Sequence, residues 1–443
     1  MMQHADLREH FHRLADSVHA ALHAGEGFTL WLAAETSDFV RFNHGKVRQA
    51  GQVRQCYITL RLLRGQRHLS ETVSLGCGAD DAATVLRTLA QLRTLLDDVA
   101  EDPHLLLADA VHTTLHAAPS KLPDAGQMTA DIVDAAAGCD LVGILASGPV
   151  CHGFANHHGQ RNWHDTSSWN FDWSVYSHGD KAVKRGGAGF EWQPASLATA
   201  IAEARSQLAL LGRPARSLAP GGYRAYFTPA ALGEIVGMLN WGGFSEKQLR
   251  TKRSALLRLA EGEASLDARI ALHEDTLHGL APGFQPEGFI KPERVDLITD
   301  GRLSGSLISP RTAKEYGLKA NSGSEAPESL VMAGGELPMA EALSALGTGL
   351  YVSNLWYLNY SDRAAARMTG MTRFACFWVE NGEIVAPLNV MRFDDSLYRM
   401  LGSELEALTR ETEFLADAGS YGARSSSSQR LPGALLRDFR LVL

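Results

Sequence analysis

Between residues 169 and 176 the chain reads WNFDWSVY, so that Trp169, Phe171, Trp173 and Val175 alternate strictly with Asn170, Asp172 and Ser174. A period of two puts every apolar side chain on one face of an extended strand and every polar one on the other. Two tryptophans on a single face demand cover, so the pattern predicts a sheet packed under helices. The preceding sequence supplies both kinds of element. Leu7, Phe11, Leu14, Val18 and Leu22 recur at helical spacing until Gly25 stops them. Phe28, Leu30 and Leu32 alternate as a strand, as do Cys56, Ile58, Leu60 and Leu62, with a turn at Asn43-His44-Gly45 between the two runs. Val85, Leu86, Leu89 and Leu92 return to a helical period, and a second helix–strand section runs from about residue 122 to 211.

At 443 residues the chain is long for one core, and two domains are expected. We read 1–211 as an N-terminal α+β domain of strand meander plus helices. The segment LGRPARSLAPGG marks a linker at 212–222, and 223–443 forms a β-rich C-terminal domain. In that second half Asp300-Gly301 and Asn381-Gly382 are two-residue hairpin turns flanked by apolar alternation. Short helices are expected near 228–241 and 338–346, a loop at Ser425–Ser428, and a closing strand at LLRDFRLVL.

Composition removes several classes. Net charge is −8 with the basic residues scattered, a balance that repels a phosphate backbone and argues against nucleic acid as a partner. Cys56, Cys77, Cys139, Cys151 and Cys376 are odd in number and form no CxxC pair, which fits a reducing compartment better than a disulfide framework. The polar start MMQHADLREHFHRL has no apolar signal core, and no run reaches the roughly 18 apolar residues of a membrane span. A soluble, cytoplasmic protein with no membrane partner is the expectation.

General catalytic signatures are missing: no GxSxG elbow, no P-loop, no HExxH. Gly347-Thr348-Gly349 precedes a strand instead of following one, which rules out a dinucleotide fingerprint. His19 and His23 stand four apart on the first helix, where they read as a solvated face. The expected loop CHGFANHHGQRNWH gathers Cys151, His152, His157, His158 and His164, all good zinc donors, but in no spacing that matches a known site and with no carboxylate to orient them. Cys77 between Gly76 and Gly78 has the backbone room of a nucleophile, yet no histidine partner can be named, so it reads as a structural thiol.

The segment TPAALGEIVGMLNWGG (228–243) carries the most information. Thr228 is a plausible N-cap, Pro229 sits at the first helical position, and Gly242-Gly243 ends the helix. Leu232, Ile235, Val236 and Leu239 form the buried stripe. Glu234 lies away from it, in line with Met238 and Trp241. Taken alone, this is a short core helix with a half-exposed glutamate.

Further along, RVDLITDGRLSGSLISPRTAKEYGLKANSG (294–323), LGTGLYVSNLW (346–356), TGMTRFACFWVENGEIVAPL (369–388) and MRFDDSLYRM (391–400) occur in an order that resembles the TldD/PmbA metallopeptidase family. VRFNHGKVRQAG (40–51) is similar to that family's early meander, and GFANHHG (153–159), with Asn156 and His157, to its Asn-x-x-Gly turn. The resemblance implies a barrel-like C-terminal domain, a dimeric peptidase, and two kinds of subunit. TldD-type chains carry HExxxH on the active-site helix and a cysteine near the C-terminus, which together hold zinc. PmbA-type (TldE-type) chains lack these ligands. Two imidazoles and a third donor leave an open metal position that acidifies a water, whose proton a glutamate takes. The aligned residues here are Gly233-Glu234-Ile235-Val236-Gly237-Met238, so the glutamate is present and both histidines are absent. Cys376 is the last cysteine and falls inside the FWVENG hairpin, away from the family's ligand position.

The sequence therefore resembles the zinc-free partner type: no metal and no cofactor of its own, with zinc expected only in a TldD-type partner. Glu234 stands as a vestigial motif glutamate. Gly233, Met238, Trp241, Asn156, His157, Arg373 and Arg392 are candidates for a peptide-binding cavity. Arg373 and Arg392 either build the site or pair with an acidic neighbour such as Asp394. The expected assembly is a homodimer, or a heterodimer with an HExxxH-containing chain. Two other readings stay open: an autonomous hydrolase using Cys151, His152, His157, His158 or Glu234, and a scaffold without substrate contact.

Overall fold

The computed structural model describes residues 4–177, 179 and 181–442. Two sheets carry the chain. The first has seven strands, in the order Arg67–Ser74, Lys46–Arg64, Glu26–Asn43, Asp140–Asn156, Arg161–Tyr176 and Thr113–Ala117, with Ala182–Gly189 also paired to Arg161–Tyr176. All pairings are antiparallel except that of Thr113–Ala117. The hairpin from 26 to 64 turns at His44 (φ 51°) and Gly45 (φ 66°), the left-handed pair that a two-residue turn requires.

Strand alternation divides the side chains of this sheet between two faces. On one face the helix His4–Ala20 and the helix Asp81–Leu95 bury Phe11, Leu14 and Val18 against Phe28, Leu30, Ile58 and Leu60. Farther along the same long strands, the helices Ala125–Ala135 and Pro194–Leu211 cover Phe42, Leu145, Phe171, Trp173 and Val175. The tryptophan-rich alternation is thus roofed by helices. The opposite face carries Trp31, His152, Phe154 and His164, and packs against the C-terminal half. The Trp31 ring lies 5.6 Å from Phe284, and Phe154 abuts Gly288.

The expected loop 151–164 is instead the end of a long hairpin, since Cys151–Asn156 and Arg161–His164 are paired strand residues. Only the turn between them is irregular. Asn156 closes it by accepting the backbone N–H groups of His158 and Gln160, both at 3.0 Å.

The second sheet has thirteen strands, and its central path runs from Arg302–Leu303 to Glu383–Pro387. It is not closed into a barrel. The barrel-like domain expected from the family resemblance is therefore an open sheet, whose two end strands each pair on one side only among the described residues. At its centre Gly221–Phe227 lies between Gly349–Val352, parallel, and Ser428–Leu441, antiparallel. Asp300-Gly301 and Asn381-Gly382 are hairpin turns with φ of 50°, 70°, 53° and 82°. Gly221–Phe227 begins just inside the expected linker, and Arg216 in that segment donates its backbone N–H to Pro387 at 2.8 Å.

Ala375 and Phe377 of the C-terminal half are fully buried within the second N-terminal core, beneath the helix Pro194–Leu211. Phe377→Ala would open a cavity where the two halves meet, and should lower unfolding stability by about 3–5 kcal/mol. Urea denaturation checks this. The exposed Val385→Ala, as a control, should stay within about 0.5 kcal/mol of wild type.

Candidate functional site

The helix Pro229–Gly237 forms where sequence analysis places it. The Thr228 hydroxyl accepts the Ala231 N–H at 3.3 Å and donates to the Ser353 carbonyl at 2.7 Å, which fixes the entry angle. Leu232, Ile235 and Val236 are buried in the main core of the C-terminal half. The Tyr360 hydroxyl donates to the Met238 carbonyl at 2.9 Å, tying down the last turn.

Glu234 faces away from that core into a cleft of about 1470 Å³ between the two halves. The cleft is open to solvent, unlike the enclosed cavity that sequence analysis anticipated. The N-terminal half contributes Asp172, Lys184 and Arg185 from its last strands and Glu203 and Gln207 from the helix Pro194–Leu211. The C-terminal half contributes the 228–241 segment, Tyr226, Tyr351, and the ends of Leu405–Ala416 and Ser428–Leu441. The Glu234 side chain is exposed to the solvent of the open cleft, with the cleft walls near enough to thin its hydration. Loss of hydration raises its pKa, and Lys184 across the cleft opposes the rise. Glu413 repeats the arrangement. Burial raises its pKa, Arg185 opposes and Glu203 adds to the shift. Sequence reasoning missed Lys184, Arg185 and Glu413. Glu413 left one signal, a charged residue on a strand whose neighbours Leu408 and Leu431 are core.

Gly233, Glu234, Met238 and Trp241 all line this cleft, with Trp241 about half exposed at its rim. Four other candidates lie outside the lining. Asn156 closes the hairpin turn, and the His157 ring packs on Gly27 and hydrogen-bonds to the Phe28 backbone. The Arg373 guanidinium stacks over Trp356, 5.2 Å from the ring centre, and Arg392 donates to Thr369 at 3.1 Å. Asp394 pairs with Arg367, not with either of them. These arginines brace strands, as arginine forks do when no anion is within reach.

The candidate hydrolase group from 151–164 is also taken apart by strand alternation. Cys151 faces the helices, while His152 faces the C-terminal half, so they share no reaction space. His152 is partly buried, its two ring nitrogens shut off from solvent beside Trp31, and His164 stacks on His116 at 4.7 Å. Burial lowers the pKa of His152 to about 4 and that of His164 to about 3.

The architecture is an α+β fold of two open sheets, with a cleft between its halves and a glutamate-bearing helix on the cleft wall. The profile of the PmbA/TldA metallopeptidase C-terminal domain matches residues 220–442. The chain belongs to the TldD/PmbA family. It is 34% identical over 129 residues to the metalloprotease PmbA of Escherichia coli O157:H7. That match covers 29% of this chain and 28% of the relative, so the chain aligns with little more than a quarter of that protein's length. Among solved structures, TldE from Thermococcus kodakarensis superposes with a TM-score of 0.78 at 13% identity, over 99% of each chain. A putative modulator of DNA gyrase from Bacteroides thetaiotaomicron gives 0.74 at 15% identity, over 100% of this chain and 99% of the other. At such identities the likeness extends to the fold alone.

The helix residues do not fit the zinc that the family resemblance implies for catalytic chains. Gly233 supplies no donor, and a Cβ there would sit 3.1 Å from a Leu415 methyl, which would have to give way for a larger side chain. Met238 is 4% exposed, its thioether sunk in the core. The Cys376 thiol is buried against the carbonyls of Arg373 and Asn354. Glu234 is the one hard donor among these positions.

Two pH dependences follow, with opposite signs. Glu234 has a raised pKa in the fold, so its charged form is destabilising once pH climbs past the unfolded value. Glu234→Gln should therefore raise Tm near pH 7 and change it little near pH 4, as read by scanning fluorimetry. The histidines have lowered pKa values, so the unfolded chain takes up protons that the fold refuses as pH falls below about 6.5. Tm should drop between about pH 6.5 and pH 5, and His152→Phe should flatten that drop. An unchanged slope would show that His152 titrates freely.

Proposed function

We propose that this chain is a zinc-free, PmbA-like subunit that lines a peptide-binding cleft and relies on an HExxxH-containing chain for hydrolysis. The observation that carries the reading is the cleft wall itself, where Gly233 and Met238 offer no metal donor on either side of an intact Glu234. The cleft suits an extended peptide. The strand Leu405–Ala416 pairs with Ser428–Leu441 on one side, and its Glu411–Ala416 end lines the cleft. Beyond the bridge between Leu337 and Thr409, no strand pairs with its other edge among the described residues. A peptide added there gains backbone hydrogen bonds that do not depend on its sequence. Substrates are then peptides or small unfolded proteins.

Assembly has a surface to work with. Of the run LYVSNLWYLNY, Leu350, Val352 and Leu355 are core, but Trp356 and Tyr357 are 50% and 77% exposed. Exposed aromatics of this size mark contact surfaces. We infer a dimer through the C-terminal half, with itself or with a TldD-type chain. No helix is long and apolar enough to cross a membrane among the described residues.

The purified chain should carry no stoichiometric zinc by elemental analysis and cleave no unfolded peptide. Mixed with an HExxxH-containing relative from the same genome, it should co-sediment and support chelator-sensitive cleavage. About one zinc per chain together with cleavage by the chain alone would sink the subunit reading. A monomer at micromolar concentration in both samples would remove the assembly.

A further inference from the structure

On the helix-covered face of the first sheet, far in sequence from the cleft, three thiols gather around one small pocket. Register places Cys56 opposite Ala34, and Ala34 opposite Cys151, so both thiols rise from the same face with a methyl between them. Beyond the end of Arg67–Ser74 the chain continues as Leu75-Gly76-Cys77-Gly78, and Leu75 still donates its N–H to the Cys56 carbonyl at 2.8 Å. This brings Cys77 over Cys56, and both thiols line the same pocket. The pocket measures about 240 Å³ and is lined by Cys56, Cys77, Cys151, Leu7, Glu35 and Arg54 among others.

The loop is built to hold Cys77 there. Cys77 has φ of 57°, a left-handed backbone that a cysteine adopts only under constraint. The constraint is Asp81, which accepts the N–H groups of Gly76 and Gly78, each at 3.0 Å, and pairs with His10 at 2.8 Å. Cys77 is partly exposed, while Cys56 and Cys151 are buried.

We propose that Cys77 is a thiol modified by peroxides and that Cys56 is its resolving partner, the two closing to a reversible disulfide. The Cys77 thiolate attacks one peroxide oxygen, the O–O bond breaks, and a sulfenic acid forms as the second oxygen leaves as hydroxide, which takes up the proton Cys77 released on ionising and becomes water. Cys56 sulfur then attacks the sulfenic sulfur, the S–O bond breaks, and the hydroxyl leaves as water with the Cys56 proton. Two thiols lose two electrons in all, and one peroxide becomes two waters. The division of roles follows from the surroundings. The neighbouring Cys56 thiol, with help from Arg54, pulls the Cys77 pKa down to about 7, while Cys77 and burial push Cys56 up, and of the two only Cys77 is open to solvent. The partly exposed sulfur is therefore the nucleophile and the buried one waits beneath it. Closure would staple the strand Lys46–Arg64 to the loop that starts the helix Asp81–Leu95.

The test treats the full-length protein with hydrogen peroxide, digests it without reductant and maps the thiols by mass spectrometry. The expected product is a Cys56–Cys77 linked peptide, lighter by two hydrogens, which dithiothreitol reverses. In the untreated protein, iodoacetamide should label Cys77 roughly tenfold faster than Cys139, the other partly exposed thiol. With Cys56→Ser, dimedone should trap a sulfenic acid at Cys77. Labelling led by Cys139, a Cys77–Cys151 link, or no link after peroxide treatment would each overturn the assignment. The alkylation arm needs no variant, so a misfolded substitution cannot shelter the idea.

Discussion

The strand Ser428–Leu441 is the constraint on which the C-terminal half depends. It pairs with Ser329–Met332, Gly221–Phe227, Arg392–Ser396 and Leu405–Ala416, so segments drawn from over 200 residues of chain meet along it. Its apolar side chains Leu431, Ala434, Leu436 and Phe439 lie in the same core as Leu232, Ile235 and Val236. The helix bearing Glu234 is thus set against the last strand of the chain, and its orientation to the cleft follows from that packing. Loss of this strand would remove the floor of the site and the middle of the sheet together.

The cleft itself arises from a second contact. Ala375 and Phe377 enter the core under the helix Pro194–Leu211, which anchors the N-terminal half beside the site. Lys184 and Arg185 are then held across from Glu234 and Glu413, carboxylates whose pKa values desolvation raises and these cations oppose. Each cation is paired on its own wall, Lys184 with Asp172 at 3.3 Å and Arg185 with Glu203 at 3.2 Å, and reaches the glutamates opposite only through the longer-range field.

The first sheet shows how strand alternation separates chemistry that sequence proximity suggests. Cys151 and His152 are adjacent in sequence and lie on opposite faces of the sheet, one among thiols beneath helices and the other in the joint between the halves. The thiols that do meet, Cys56 and Cys77, lie 21 positions apart by residue number and converge because an antiparallel pairing carries the chain back over itself.

Sequence alone determined the elements whose signals are local. Alternation through Trp169–Val175, the left-handed turns at His44-Gly45 and Asn381-Gly382, and the Thr228-Pro229 start of the glutamate helix each rest on side-chain period or backbone preference within a few residues. The ordered family-like segments and the absent histidines at 233 and 238 were also legible, because they are statements about residue identity. Closure was not. Whether thirteen strands bend round into a barrel depends on pairing between distant edges, and here the edges stay apart. Nor could residue type say that Arg373 and Arg392 brace strands while Lys184 and Arg185 face the cleft. An arginine's role is set by which charges and rings lie within its reach, and that is decided only when the two halves pack.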